Sequence, residues 1–195
     1  MGRWRHWGFC DRRIVPLLPG RRIAGTAVTL AIPGPDSTLL HHALGLLRPG
    51  GDVLVVDRLG DDRHAFWDGS VTLAAKVAGA KGGVVDGPCT DLAEIRASDF
   101  PLWCRGIASI TTRIHDLGGP LNYPVAIGGA VVMPGDAVLA DESGVLVLPA
   151  AEAEAEAREA LRRQERGRFT EARLAEGGKL GELSGASLKV AASSS

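Results

Sequence analysis

Three apolar segments that each end in an aspartate constrain the fold of this chain more than any other feature. They read Val-Leu-Val-Val up to Asp57, Gly-Val-Val up to Asp86, and Ala-Val-Leu-Ala up to Asp141. The first is a continuous apolar run, which is typical of a strand that is buried on both faces. Ligands of α/β sheets gather beyond the carboxyl ends of strands, so each aspartate is a candidate site residue, although the three need not share one site.

Helical patterns alternate with these strands and predict a mixed α/β domain. One helix is expected to begin at Asp36 or Ser37, and a second is expected to run from residues 68–70 to about Ala80. The Ala/Glu/Arg-rich residues from Ala151 to about Ala175 predict a long, mostly solvated helix.

Length and composition favour one large domain with a substantial core. The chain has 195 residues, of which 45% are hydrophobic. We expect residues 1–13 to be a flexible or truncated N-terminal segment. Residues 14–176 should form the domain, and residues 177–195 should form a frayed C-terminal tail.

Charge and cysteine content limit the classes of function. A formal net charge of -1 argues against nucleic-acid binding, which normally needs a basic excess. Cys10, Cys89 and Cys104 are an odd number without metal-type spacing, which favours reduced thiols in a cytoplasmic protein. Since no apolar run approaches the roughly 18 residues that span a bilayer, no membrane association is expected.

Residues 82–91 predict a buried strand, a turn at Asp86-Gly87 and a helix that begins near Thr90 or Asp91. Asp91 is open to two interpretations. Its side chain could cap the helix, or it could bind a metal beside the free N–H groups of a helix start. Cys89 at the same turn is a weaker candidate nucleophile, since no histidine is close in sequence.

The helix start at Gly69-Ser70-Val71-Thr72 is a second candidate site, because its free N–H groups could hold a carboxylate. If Gly69 and Asp91 face one pocket, an anion-binding site and a metal ligand lie side by side. Sequence alone does not place them together.

Six segments, in this order, resemble the RraA-like family. The family includes the class II 4-hydroxy-4-methyl-2-oxoglutarate/4-carboxy-4-hydroxy-2-oxoadipate aldolases and the regulators of ribonuclease E activity. The resemblance covers roughly residues 14–149. The segments that carry it are residues 19–29, 49–57, 83–87, 100–106, 128–136 and 141–145.

The resemblance implies a single-domain swivelling β/β/α fold with a C-terminal helix, assembled as a homotrimer or hexamer with sites at subunit interfaces. It also implies site residues. The amides of Gly69, Ser70, Val71 and Thr72 would bind the substrate carboxylate, and Asp91 would bind Mg²⁺ or Mn²⁺.

The family's arginine, which grips the substrate and stabilises the enolate, is replaced here by Thr90. A hydroxyl lacks the charge and the two-pronged donor of a guanidinium. Thr90 would therefore offer substrate only a hydroxyl hydrogen bond. Arg63 and Arg105 are the arginines considered as substitutes.

Three functions are consistent with this resemblance. The first is a divalent-metal-dependent lyase that acts on a 2-oxo acid through a pyruvate enolate, with Asp91 and Thr90 as catalytic residues. Its reaction would be aldol cleavage of the 4-hydroxy-4-methyl-2-oxoglutarate type or oxaloacetate decarboxylation. The second is a non-catalytic regulator that binds a ribonuclease or another protein. The third is a repurposed enzyme with a different substrate.

Overall fold

The computed structural model describes residues 8–193, which divide after Ala150 into two compact units. The first unit is a mixed α/β structure, so the predicted fold class is confirmed. Its strands are β1 (Val15–Pro16), β2 (Ile23–Ala31), β3 (Asp52–Asp57), β4 (His64–Ala65), β5 (Gly82–Asp86), β6 (Leu102–Cys104), β7 (Ile110–Thr111), β8 (Val125–Ile127), β9 (Ala130–Val132), β10 (Ala137–Asp141) and β11 (Gly144–Leu148). The helices of the chain are α1 (Thr38–Leu44), α2 (Gly69–Val77), α3 (Leu92–Ala97), α4 (Ala150–Ala175), α5 (Leu180–Leu183) and α6 (Ala186–Ser193).

The main sheet has seven strands in the order β1-β6-β5-β3-β2-β10-β11. β2, β3, β5 and β6 are parallel, and β10 pairs antiparallel with β2. Asp57 and Asp86 are direct register partners at one edge of the sheet. Asp141 ends a strand that runs the other way, next to the beginning of β2 at Ile23, so it lies at the opposite edge.

Strand β3 separates two layers of core, as its continuous apolar sequence predicts. Leu54 and Val56 pack into a layer with Trp67 and with residues of α1, α2 and α3. Val53 and Val55 pack into the other layer with residues of β8 to β11. Successive side chains of a strand point to opposite faces, so one short segment contributes to both layers.

Residues 8–13, which belong to the expected flexible segment, are tied to the first unit by backbone hydrogen bonds. The amide of Cys10 donates to the Val145 carbonyl at 2.9 Å, and the amide of Asp11 donates to the Gly128 carbonyl at 2.8 Å. The rest of that segment, residues 1–7, lies outside the described residues. The boundaries expected at residues 13 and 176 remain predictions.

The second unit is helical. The long helix expected from Ala151 to Ala175 is confirmed as α4, which buries none of its residues and carries i,i+4 ion pairs such as Arg163–Glu159 at 2.7 Å. The tail that was expected to be frayed contains α5 and α6 up to Ser193, and residues 194–195 lie outside the described residues. The alanine and leucine content of residues 186–193 favours a helix over a disordered end. Among the described residues, none of the helices combines the length and the apolar character that a membrane span requires.

Candidate active site

Asp57 and Asp86, which end neighbouring strands at the same edge of the sheet, hydrogen-bond to loops and do not form an open site. Asp57 accepts the amides of Leu59 at 2.7 Å and Ala126 at 3.2 Å. Asp86 accepts the Gly128 amide at 2.6 Å and pairs with the guanidinium of Arg105. Since both oxygens of each carboxylate have partners, these residues fasten loops to the sheet.

Arg105 therefore does not serve as a free substitute for the expected arginine. Its guanidinium pairs with Asp86 and lies 3.7 Å from Asp11. Arg63 is exposed, and its side chain has no hydrogen bond or ion pair to another residue in the described range. Within residues 8–193, neither of the two arginines considered as substitutes makes a hydrogen bond or ion pair with Thr90.

Asp91 and the start of α2 lie next to each other. The sequence alone did not show whether they do. The amide of Gly69 donates to the Asp91 carboxylate at 3.2 Å, a long hydrogen bond that joins residues 22 positions apart. Asp91 is otherwise exposed, and the Thr90 hydroxyl lies 3.3 Å from its other oxygen. One carboxylate oxygen therefore faces a helix start, and the other has only a weak partner.

The interpretation that the Asp91 side chain caps its own helix was wrong. Asp91 occupies the position before α3, but its side chain makes no capping hydrogen bond. An ordinary cap has extended backbone angles that bring the side-chain oxygen to the amides of the first turn. Asp91 instead has left-handed angles, φ 52° and ψ 42°, and its carboxylate bonds the neighbouring helix α2.

The first turn of α2 has fewer open donors than its sequence suggests. Asp68 caps it, with one carboxylate oxygen accepting the Val71 amide at 2.7 Å and the backbone carbonyl accepting the Thr72 amide at 3.0 Å. The Gly69 amide donates to the Asp91 carboxylate. Only the Ser70 amide of this turn has no hydrogen-bond partner among residues 8–193. A substrate carboxylate would accordingly meet the Ser70 and Gly69 amides, whereas those of Val71 and Thr72 are occupied.

Glu94 also contacts this turn, and sequence reasoning missed it. A Cβ atom added to Gly69 would lie 1.8 Å from a Glu94 carboxylate oxygen, so the missing side chain of Gly69 makes room for Glu94. The first turn of α2 is thus bordered by the carboxylates of Asp68, Asp91 and Glu94. The Asp-x-x-Glu spacing from Asp91 to Glu94 was visible in the sequence, but their common neighbour Gly69 was not.

A groove of about 900 Å³ extends from this turn along α1 and α2. Asp68, Ser70 and Val71 line it on one side, and His41 and Leu44 line it on the other. The groove therefore shares the first turn of α2 with the candidate site but is not lined by Asp91, and the rest of its wall is mostly apolar.

The residues present fit a divalent cation that keeps several water molecules. Mg²⁺ is commonly held by one or two carboxylates, with water and substrate oxygens completing its coordination. Asp91 offers such a carboxylate, exposed and only weakly bonded. No group of three or more His, Cys, Asp or Glu side chains within residues 8–193 is arranged to hold a metal by itself.

The chain has clear relatives among known proteins. A family model for RraA-like proteins, described as Aldolase/RraA, matches residues 4–147. A protein of Halalkalibacterium halodurans, provisionally named 4-hydroxy-4-methyl-2-oxoglutarate aldolase, is 32% identical over 151 residues, which are 77% of this chain and 71% of the relative.

Two solved structures share the fold. Streptomyces coelicolor RraAS2, described as an unusual member of the RNase ES inhibitor RraA protein family, matches with a TM-score of 0.72 and 29% identity, over 81% of this chain and 80% of that one. The RNA-processing inhibitor RraA from Thermus thermophilus matches with a TM-score of 0.67 and 29% identity, over 75% and 87% of the two chains. The chain belongs to the RraA-like family.

Proposed function

We propose that this protein is a divalent-metal-dependent lyase that cleaves a 2-oxo acid through a pyruvate enolate. The observation that carries the proposal is the hydrogen bond between the Gly69 amide and the Asp91 carboxylate. It joins a weakly bonded carboxylate to a helix start whose next residue, Ser70, lines a groove. The family relationship and the relative's aldolase name support the same reaction class.

Carboxylates border the first turn of α2, and carboxylate oxygens are ligands that Mg²⁺ takes in proteins. Asp68, Asp91 and Glu94 each contact this turn, and Thr90 stands where the resemblance expects an arginine. Asp91 is the ligand we assign, because Asp68 is already used as the cap of α2.

In the proposed mechanism Asp91 would hold Mg²⁺ or Mn²⁺. A cation of this kind, when bound, polarises the keto oxygen of a 2-oxo acid and stabilises negative charge that develops on it. The Ser70 amide, with the Gly69 amide beside it, would orient the substrate carboxylate at the positive end of α2. The Thr90 hydroxyl would donate a hydrogen bond to the oxygens of the substrate carboxylate.

The replacement of arginine by Thr90 leads us to favour one of the two lyase reactions. Aldol cleavage needs an acid/base group to move the proton of the hydroxyl that becomes a carbonyl, whereas decarboxylation releases CO₂ without that proton transfer. The lost guanidinium charge affects the enolate of both reactions, whereas only aldol cleavage also depends on the missing acid/base group. We therefore place oxaloacetate decarboxylation ahead of aldol cleavage for this chain.

A pyruvate-release assay tests the proposal. Purified protein is given oxaloacetate or 4-hydroxy-4-methyl-2-oxoglutarate with Mg²⁺, with Mn²⁺, or with a chelator. We expect metal-dependent pyruvate that is lost in Asp91→Asn and retained in Asp62→Asn, a matched change at an exposed aspartate. Metal-independent release, or no release above the protein-free rate, would reject the lyase.

A non-catalytic regulator is the second candidate, and the solved relatives described as RNA-processing inhibitors favour it. It predicts inhibition of RNA cleavage by a ribonuclease, with no pyruvate release under any metal condition. A third outcome, metal binding without either activity, would favour a repurposed enzyme with another 2-oxo acid.

We also propose that the chain assembles with copies of itself, as a trimer or a hexamer. Exposed apolar side chains support this proposal, because Leu73 is 60% and Val77 is 80% exposed on α2, beside the groove. Replacing both with lysine should lower the mass measured by analytical ultracentrifugation. An unchanged mass would place the contacts elsewhere.

A further inference from the structure

Two of the three cysteines lie with their sulfur atoms in contact. Cys89 Sγ and Cys104 Sγ are 3.2 Å apart, and both side chains are completely buried. The two residues are separated by 15 positions in the sequence and meet because the segment after β5 runs beside the segment after β6. Cys10 packs against the other core layer, so it is not a partner of this pair.

The environment makes the two sulfurs unequal. The backbone amide of Gly106 donates a hydrogen bond to the Cys104 sulfur at 3.4 Å, which favours negative charge on that sulfur. Cys104 is therefore the sulfur with more thiolate character, and the thiolate is the nucleophilic form of cysteine.

The pair also lies next to the candidate site. Cys89 directly precedes Thr90 and Asp91, and its backbone bonds Gly106 and Ala108 beyond β6. A covalent bond between the sulfurs would therefore fasten the turn that carries Asp91 to the end of β6.

We propose that Cys89 and Cys104 form a reversible disulfide when the protein meets a peroxide. The sulfurs need to approach by about 1.2 Å to reach the usual S–S bond of about 2.05 Å. The Cys104 thiolate attacks one peroxide oxygen and the O–O bond breaks, so that Cys104 becomes a sulfenic acid, and the hydroxide that leaves takes up the proton released by the Cys104 thiol and becomes water. The Cys89 sulfur then displaces hydroxide from the Cys104 sulfur, and the proton lost by Cys89 completes a second water. Two thiols are oxidised and one peroxide is reduced.

The chemistry is tested on the purified full chain with hydrogen peroxide as the probe. Thiols are counted after denaturation, and the peptides are mapped by mass spectrometry. We expect the count to fall from three to one, a cross-linked peptide that joins Cys89 to Cys104, and full recovery with dithiothreitol. Formation of the bond should raise the thermal midpoint, because a cross-link restricts the unfolded chain.

Two variants sharpen the result. Cys10→Ser retains Cys89 and Cys104 and should lose both thiols to the cross-link. Cys104→Ser retains Cys10 and Cys89 and should keep both thiols. Should Cys104→Ser fail to fold, the peptide map of the wild-type protein and Cys10→Ser still decide the question. The proposal is overturned if the wild-type protein keeps three thiols, forms acids that dithiothreitol does not reverse, or links Cys10.

Discussion

Replacing Asp36 with alanine should strongly destabilise the first unit. Asp36 is completely buried just before α1, and its carboxylate accepts hydrogen bonds from two segments of the chain. One oxygen accepts the amide and hydroxyl of Thr38 at 3.0 and 2.6 Å and the His115 amide at 3.0 Å. The other accepts the Leu117 amide at 3.0 Å, so the carboxylate ties an exposed loop to the helix start.

The size of the effect follows from these partners. A hydrogen bond to a charged group contributes roughly 1.5–3 kcal/mol, so three amides would give an upper sum of about 4.5–9 kcal/mol. The His115 and Leu117 amides belong to exposed residues that water can reach after the substitution. We therefore expect the free energy of unfolding to fall by about 3–5 kcal/mol in Asp36→Ala. Asp36→Asn keeps one acceptor oxygen and should lose about half of that.

The pH dependence provides a second measure of the same carboxylate. Burial opposes ionisation of Asp36, but the bonds from the Thr38 hydroxyl and from the amides of His115, Thr38 and Leu117 outweigh it and hold the pKa below its usual range. A carboxylate with a lowered folded-state pKa contributes stability above its unfolded pKa of about 3.9, and that stability is lost as the pH falls further. The wild-type protein should therefore lose stability below about pH 4 more steeply than Asp36→Ala.

Urea unfolding followed by tryptophan fluorescence measures these quantities. Asp62→Ala is the matched control, since Asp62 is exposed, and it should change the free energy by no more than about 0.5 kcal/mol. The slope with urea should stay the same in every variant, because the surface exposed on unfolding is unchanged. A loss below about 1 kcal/mol in Asp36→Ala, or an equal loss in Asp36→Asn, would refute the reasoning.

Three further predictions concern the core and the site. Trp67→Phe removes the 2.9 Å hydrogen bond from the indole to the Thr72 hydroxyl and should cost about 1 kcal/mol in urea unfolding, and no loss would contradict it. Gly83→Ala places a Cβ 2.9 Å from a Leu102 methyl group and from the ring of Trp67, so overpacking should cost about 1–3 kcal/mol, and an unchanged thermal midpoint would speak against it. Thr90→Arg should raise aldol cleavage by about 10²–10³-fold if the site has lost only an oxyanion donor, as measured by pyruvate release, and unchanged cleavage would rule that out.

Much of the fold was predictable because its signals are local. The apolar run of β3 predicted a strand buried on both faces, and the two core layers confirm it. The helix expected at Ala151 to Ala175 was likewise visible in its composition. Asp141 differs, since the direction of its strand depends on pairing with β2, which is far away in the sequence.

The arrangement of the candidate site was less predictable. The bond from Gly69 to Asp91 depends on the packing of α2 beside the turn after β5. The left-handed backbone of Asp91 was hidden as well, because aspartate before a helix normally predicts a cap. The Cys89–Cys104 contact joins the turn after β5 to the last residue of β6, and the sequence spacing of the two cysteines gave no sign of it.

A Mn²⁺ titration followed by electron paramagnetic resonance tests the central claim, that Asp91 holds a divalent cation at the start of α2. Loss of a group that merely orients a metal ligand typically weakens affinity about 10–100-fold, so Asp91→Asn, which alters the ligand itself, should weaken binding at least about tenfold. Asp62→Asn should bind Mn²⁺ as the wild-type protein does. Equal affinity in the wild-type protein and Asp91→Asn, or no binding by the wild-type protein, would contradict the claim.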